Sequence, residues 1–361
     1  MTPIASELHL GNIGPLLESR PIDASAPCRI DFGGTLDISS FHYPLRHLVP
    51  STVNIALDRR TTVSLRPINS DRIHVSSTGV ADAAFNPSEA PYDHPLGLMF
   101  AVADYFSARG VHIHIHSTSP PRSGLGGSSV AAVALIAAFS KALEGIGKKG
   151  ISLDRIVLMA HAIEQGVAGV PCGLQDQLAA AFGGANAWIW PADPGLPPFA
   201  RTPLLEGAAL RRLDRHLLVA YLGVTHVSKD VNRSWVKQFI SGNDREKWHE
   251  IIRLTRDFAG AIVRGDMPAA ADAMNRETAI RKGMTPQVLD DMGDRLSATA
   301  IDAGCGARFT GAGGGGCMWA IGTEDAVAAL KPVWEKMLTG RPTAGLLACR
   351  VDTGGVTVTP H

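Results

Sequence analysis

Two glycine-rich stretches and two separated carboxylates are the residues of this chain best suited to chemistry. Pro120-Pro121-Arg122-Ser123-Gly124-Leu125-Gly126-Gly127-Ser128-Ser129 lies between a strand-like and a helix-like pattern. Glycines let backbone amides turn inward with no Cβ in the way of a phosphate. A following helix adds free N–H groups and the positive end of its dipole. Ser128 and Ser129 put hydroxyls at the helix start, in place either to ligate a metal or to cap the helix. The stretch lacks a GK[ST] ending, and a dinucleotide fingerprint counted from Gly124 fails at Ser129. An ordinary tight strand-to-helix turn is the alternative.

The second stretch, Gly311-Ala312-Gly313-Gly314-Gly315-Gly316, satisfies GxGxxG literally. Cys317 to Ile321 then continues as a strand where a dinucleotide fold requires a helix. It reads as a turn between adjacent strands that leans on a ligand or on the first loop. The carboxylates are Glu164, at the end of a helical pattern, and Asp176, just after Gly173 in Pro171-Cys172-Gly173-Leu174-Gln175-Asp176-Gln177. One can hold Mg²⁺ while the other accepts a hydroxyl proton, the division of labour in phosphoryl transfer. Taken alone, Asp176 is equally a first-turn charge favoured by the helix dipole.

The elements that must position these groups follow from periodicity. Strands are expected at Cys28–Phe32, Thr61–Leu65, Arg72–Ser76 and over Val111, Ile113 and Ile115, with a mobile loop at 78–96. His112, His114 and His116 share the other face of their strand. That raises a metal site, but no carboxylate or fourth ligand is spaced to complete one. Helices are expected at Leu96–Phe106, Val130–Leu143, 152–165 and Gln175–Phe182, then a strand at Ala187–Trp190. Beyond a Pro-rich stretch at 191–203, the pattern gives a strand at Leu217–Leu222 and helices near 230–240, 245–263, 266–280 and 286–302. The last of these starts from Thr285 and Pro286. Strands at Ala307–Thr310, Cys317–Ile321 and Leu346–Val351 flank a helix at 324–338, with a kink expected at Pro332. This second half is the split βαβ order of a ferredoxin-like layer.

Composition narrows the function classes. The chain has 361 residues, 45% hydrophobic and 19% charged, with 34 basic and 34 acidic side chains. Two domains with sizeable cores are expected. A balanced charge disfavours nucleic acid as a partner. The longest apolar run, Val130 to Phe139, falls short of the roughly 20 residues of a membrane span, so no membrane partner is expected. Five cysteines (Cys28, Cys172, Cys305, Cys317, Cys349) without CxxC spacing, and an N-terminus without a basic-then-apolar signal pattern, point to a reducing cytoplasm.

Taken together, the motifs resemble those of the GHMP kinase superfamily, the galacto-, homoserine, mevalonate and phosphomevalonate kinases. SPPRSGLGGSS is similar to its phosphate-loop motif PxxxGLGSSA, GARFTGAGGGGCMWAI to its C-terminal glycine motif, and APCRIDFGG to its N-terminal motif. The three occur in the family's order between about residues 26 and 321. HAIEQGVAGVPCGLQDQLAAAFGG is similar to the sugar-kinase branch of galactokinases and bacterial heptose-phosphate kinases. Where those carry GEHTD or GGGTD, this chain has Gly33-Gly34-Thr35-Leu36-Asp37, with Leu36 between Thr and Asp. Arg122 and Gly127 likewise replace the commoner Gly and Ser of the phosphate loop.

The resemblance implies an α+β, two-domain fold. It would comprise an N-terminal arm (1–24), a nucleotide domain (25–200) and a ferredoxin-like C-terminal domain (201–361), with the active site in the cleft. It implies ATP and Mg²⁺ as cofactors, and phosphoryl transfer to a hydroxyl of a sugar or sugar phosphate. Asp176 would be the catalytic base and Arg29 the residue that keeps it ionised. Pro121, Ser123, Gly124, Leu125, Gly126, Gly127, Ser128 and Ser129 would wrap the ATP phosphates. Ser128 and Glu164 would hold magnesium. Asp37, Gly173, Gly313 and Gly314 would contact the acceptor. Two rival expectations are a sensor that binds ATP and sugar without turnover, and a kinase of a mevalonate- or homoserine-type alcohol. Association as a homodimer is left open.

Overall fold

The structure, a computed structural model, describes residues 7–191, 193, 195–224 and 228–361. In chain order the first part runs β1 (Ile22–Phe32), β2 (Ser51–Pro67), β3 (Ile73–Ser77), β4 (Val80–Phe85), α1 (Gly97–Tyr105) and β5 (Val111–Ser117). Then come α2 (Gly127–Gly145), α3 (Leu153–Ala168), α4 (Gln175–Phe182), β6 (Ala185–Ile189) and β7 (Ala200–Pro203). The second part runs β8 (Leu217–Tyr221), α5 (Ser228–Ile240), α6 (Arg245–Arg264), α7 (Met267–Met284), α8 (Asp291–Asp302) and β9 (Gly306–Phe309). It ends with β10 (Cys317–Ile321), α9 (Glu324–Leu338), β11 (Gly345–Leu346) and β12 (Thr357–Pro360).

The larger sheet has the order β12-β1-β2-β5-β3-β4, and β6 joins the first half of β2 and carries β7. β2 is buried continuously over its first seven residues and alternates afterwards, with Thr61, Val63 and Leu65 inward. Its first half is therefore covered on both faces and its second half on one. On β5, Val111, Ile113 and Ile115 face the core, while His112 and His114 share the hydroxyl of Ser76 at 2.7 and 2.9 Å. No cluster of three or more His, Cys, Asp or Glu side chains able to hold a metal occurs among the described residues.

Helix α2, rich in alanine, lies against β1 and β2 with fourteen residues buried; small side chains allow that close approach. By length and composition it passes for a membrane span, which the short Val130–Phe139 run did not suggest, yet 78% of its apolar window is buried inside the fold. The second sheet, β9-β10-β8-β11, is antiparallel throughout, which is the strand order and direction of a ferredoxin-like layer. The whole is a two-domain fold of mixed helices and sheets with two hydrophobic cores.

Several expectations need correction. The stretch 78–96 is not all loop: Val80–Phe85 pairs antiparallel with β3. The segment 1–24, of which residues 1–6 lie outside the described residues, is not an irregular arm. Leu8, Leu10, Ile13 and Leu17 are buried in the first core, and Gly14–Ser19 is helical. Apolar residues at those spacings marked a packed segment. The helix expected from 286 begins at Asp291, because the Asp290 side chain accepts from the Gly293 amide and caps it there. The strand expected at 346–351 is two residues long, with one further bridge at Val351. The chain then returns: β12 pairs with Ile22–Ser25 of the first sheet, so its last strand is not part of the ferredoxin-like layer. Residues 192 and 194 of the Pro-rich stretch lie outside the described residues. Pro332 sits inside α9 without ending it.

Candidate active site

Strand β1 carries Arg29 into the middle of the molecule. Its register with β2 shifts between Pro27 and Cys28, two residues before Arg29. Proline has no N–H to give the ladder, and such a bulge re-aims the side chains that follow. Arg29 is 3% exposed. Its backbone amide donates to the Leu125 carbonyl (3.2 Å) and its Nη1 to the Gly124 carbonyl (2.7 Å), so β1 braces the first glycine loop from below.

Arg29 Nε and Nη2 both lie 2.7 Å from a single atom, Oδ1 of Asp176. The guanidinium therefore grips one oxygen and leaves Oδ2 free of it. Burial alone would lower the Arg29 pKa, but Asp176 and Asp31 outweigh it and raise it. Asp176 lies in the first turn of α4, whose N-cap residue is Leu174, and no side chain caps that helix. Its carboxylate is thus committed to Arg29, with 23% of the side chain exposed.

The loop closes over this pair. Gly126 has φ +82°, and a Cβ there would lie 3.0 Å from the Asp176 carboxyl group, so both backbone angle and space call for glycine. Leu125 is fully buried and pins the loop to the core, whereas Pro121, Gly127 and Ser128 are exposed. The second glycine stretch leans on the first: Cys317 N donates to the Ser123 carbonyl at 2.8 Å. Helix α2 then begins at Gly127. Ser128 and Ser129 do not cap it; their hydroxyls donate to Oε1 and Oε2 of Glu164 at 2.7 and 2.6 Å. Gln177 adds a bond to Oε2 at 2.8 Å. Burial pushes the Glu164 carboxyl up, with Asp176 acting in the same direction against these hydrogen bonds. A serine hydroxyl and a carboxylate at a helix start are hard oxygen ligands, the donor set that Mg²⁺ takes alongside water and phosphate.

Asp37 arrives from the other side. Its Oδ2 accepts from the Gln175 amide at 3.1 Å, while Oδ1 is buried without a partner, as is Oε1 of Gln175. A Cβ at Gly173 would collide with the Asp37 carboxylate, so glycine is what admits it. Burial, with the charge of Asp176 nearby, pushes the Asp37 carboxyl up to about 6. Leu36, the residue between Thr35 and Asp37, is fully buried in the second core. In the second glycine stretch, Gly314 N donates to the Val288 carbonyl (3.0 Å), and a Cβ at Gly313 would strike Val288 and Phe309.

Four charged residues that the sequence reading passed over sit behind the site. Asp31, Glu277, Arg281 and Arg308 are buried side by side, with Arg308 2.9 Å from Glu277 and 3.0 Å from Asp31. A charge inside the otherwise apolar GARF strand, and Glu277 with Arg281 four apart on a helix, were the available signals.

Comparison with known proteins bears on the family and the fold. The signature of the GHMP kinases N terminal domain matches residues 95–184, and that of the GHMP kinases C terminal matches 258–339. D-glycero-alpha-D-manno-heptose 7-phosphate kinase of Campylobacter jejuni is 28% identical over 209 residues, which is 57% of this chain and 60% of that one. Galactokinase of Roseiflexus sp. is 26% identical over 341 residues, 83% of this chain and 85% of that one. Mevalonate kinase of Pyrococcus abyssi is 28% identical over 240 residues, 63% and 64% of the two chains. Two of these three alignments thus span less than two thirds of the relative. In structure, a D-glycero-D-manno-heptose 1-phosphate kinase from Bacteroides thetaiotaomicron superposes with a TM-score of 0.72 at 18% identity, covering 94% of this chain and 98% of its own. With both signatures in order on the matching two-domain fold, the chain carries the N-terminal and C-terminal domains of the GHMP kinases.

Proposed function

We propose that the chain transfers the γ-phosphoryl group of ATP to a hydroxyl of a sugar or sugar phosphate. The observation that carries this reading is the one-sided grip on Asp176, which leaves Oδ2 beside Gly126 of the glycine loop. In this reading Oδ2 orients the acceptor hydroxyl and takes its proton late. The acceptor oxygen bonds to the γ-phosphorus as the bond to the β-phosphate oxygen breaks, and ADP leaves. Arg29 supplies the counter-charge and fixes the carboxylate. The backbone of Ser123–Ser129 and the N-terminus of α2 take the phosphate charge. Ser128 and Glu164 are the residues suited to hold Mg²⁺, which when bound offsets phosphate charge. We assign the nucleotide to residues 25–200 and the acceptor to the cleft they form with 201–361.

Two unpartnered acceptor atoms, Oδ1 of Asp37 and Oε1 of Gln175, favour a ligand rich in O–H donors, as a sugar is. A mevalonate-type acceptor is the second reading, favoured by the mevalonate kinases among the relatives. Its carboxylate would meet the charges of Asp37 and Asp176. The joint presence of Asp176, Glu164 and Ser128 weighs against a sensor without turnover.

A coupled ADP-release screen with ATP, Mg²⁺ and D-galactose, D-glycero-D-manno-heptose 7-phosphate or mevalonate separates the three. ADP with a sugar supports the proposal, ADP with mevalonate alone replaces the acceptor, and ATP binding without ADP makes the chain a sensor.

A further inference from the structure

We propose that Arg281 is a positioning residue that holds the acceptor segment Gly33–Asp37 in place against the catalytic carboxylate. The proposal rests on the kinase reading only for what the segment binds; the restraint itself is read from the fold.

A chain of alternating charges runs through the interior. From Oδ1 of Asp176 it passes to Arg29, whose Nη1 is 3.5 Å from Oδ1 of Asp31. From Oδ2 of Asp31 it passes to Arg308 Nη1 at 3.0 Å, and from Arg308 Nε to Oε2 of Glu277 at 2.9 Å. The other oxygen of Glu277, Oε1, accepts from Arg281 Nε at 2.8 Å. Arg281 then spends its two remaining nitrogens on the acceptor segment: Nη1 donates to Thr35 Oγ1 at 3.2 Å and Nη2 to the Gly34 carbonyl at 2.6 Å. Two residues later Asp37 accepts from Gln175 N, and Gln175 is the neighbour of Asp176 in α4. The circuit closes, so the base and the acceptor segment are located by one set of contacts.

Three features mark Arg281 as more than a buried countercharge. Its guanidinium carbon lies 4.7 Å from the ring of Trp235 and 4.6 Å from that of Trp248, which restricts where it can swing. Its donors span three directions at once, which a lysine ammonium cannot match with planar geometry. Thr35 has φ +80°, a conformation that a β-branched residue holds only when its surroundings impose it. Arg281 holds both the Thr35 hydroxyl and the carbonyl before it.

The test uses full-length Arg281→Lys, which keeps the charge opposite Glu277. Thr35→Val serves as the second variant should the first fail to fold, because it keeps shape and removes only the acceptor oxygen. Hydrogen–deuterium exchange in peptides covering 33–41 should accelerate about tenfold or more while peptides covering 120–130 stay as in the parent. With D-galactose and D-glycero-D-manno-heptose 7-phosphate as acceptor probes, the acceptor KM should rise about tenfold and the ATP KM stay within about twofold. Unchanged exchange at 33–41 in a folded variant overturns the proposal. So does acceleration spread evenly over the protein, which is what a purely structural arginine would give. If the parent turns over neither probe, the kinase reading fails on these acceptors, and exchange alone still decides the role of Arg281.

Discussion

The two sides of the site are held by different means. The side proposed for the phosphates is held at its main chain: the carbonyls of Ser123, Gly124 and Leu125 accept from the Cys317 amide, the Arg29 guanidinium and the Arg29 amide. At its edge the serine hydroxyls, Glu164 and Gln177 add polar side chains. The side proposed for the acceptor is a side-chain device, in which Asp31, Glu277, Arg281 and Arg308 support a segment of irregular backbone from inside the protein. A loop held by carbonyls tolerates most side-chain changes and fails where a Cβ intrudes. A segment held by buried charges fails when one charge is removed, because its partner is left unpaired in a medium that solvates it poorly.

Predictions that break or sharpen this contrast run from large to small. Asp176→Asn sits where the two sides meet. It keeps the shape of the side chain, so kcat should fall about a thousandfold with ATP affinity nearly intact; near-normal turnover in the folded variant would reduce Asp176 to a helix-end charge. Glu277→Gln leaves Arg281 and Arg308 without their shared anion, and urea denaturation should show a loss of about 3–5 kcal/mol. A loss under 1 kcal/mol would mean the network is not acting as a unit.

The third concerns pH. Burial pushes the folded Asp37 carboxyl from its ordinary 3.8 up to about 6, so the folded protein binds the extra proton between those values. Stability of the free protein should therefore decline as pH rises from about 4 to 6, by at most about 3 kcal/mol. Acceptor hydroxyls donate to the ionised form, so acceptor kcat/KM should rise through the same range, and Asp37→Asn should flatten that limb in both measurements. An unaltered profile in that variant would remove Asp37 from the acceptor side.

The fourth and fifth test the loop. Gly126→Val adds a side chain at φ +82° against Asp176. By calorimetry, ATP affinity should drop about tenfold or more, with acceptor binding less affected. Ser128→Ala removes one hard ligand and one hydrogen bond from an exposed position. A several-fold rise in the Mg²⁺ needed for half-maximal rate is expected, with the melting temperature within about 2 °C. A magnesium titration identical to the parent's would dissociate Ser128 from the metal.

How much of this was legible beforehand differed by region. The glycine loop, helix α2 and Asp176 lie within contiguous or nearby motifs, so residue type and local spacing suffice to propose phosphate binding there. The ferredoxin-like strand order is likewise a matter of local periodicity and sequence order. The pairing of β12 with β1, more than three hundred residues apart, has no local signal. Burial of Leu8, Leu10, Ile13 and Leu17 is legible in their apolar spacing, a local property of the chain. The departure Gly33-Gly34-Thr35-Leu36-Asp37 looked like a break in a motif. In the fold Leu36 turns into the second core while Asp37 turns to Gly173, and the irregular Thr35 backbone lets adjacent residues serve opposite sides.

By itself, the sequence determined where a phosphate-sized anion can be met by backbone, since freedom at glycine and the free amides at a helix start are local properties of the chain. It determined equally which carboxylates and hydroxyls stand near that place in chain order. Only the tertiary structure decided that Arg29 grips one oxygen of Asp176, that Ser128 and Ser129 serve Glu164 and leave their helix uncapped, and that Arg281 reaches Thr35 across 246 positions of sequence. The physical reason is that the worth of a charge depends on what is buried around it. Arg281 and Arg308 look like ordinary surface cations until the fold removes water from them and leaves Glu277 and Asp31 as their partners.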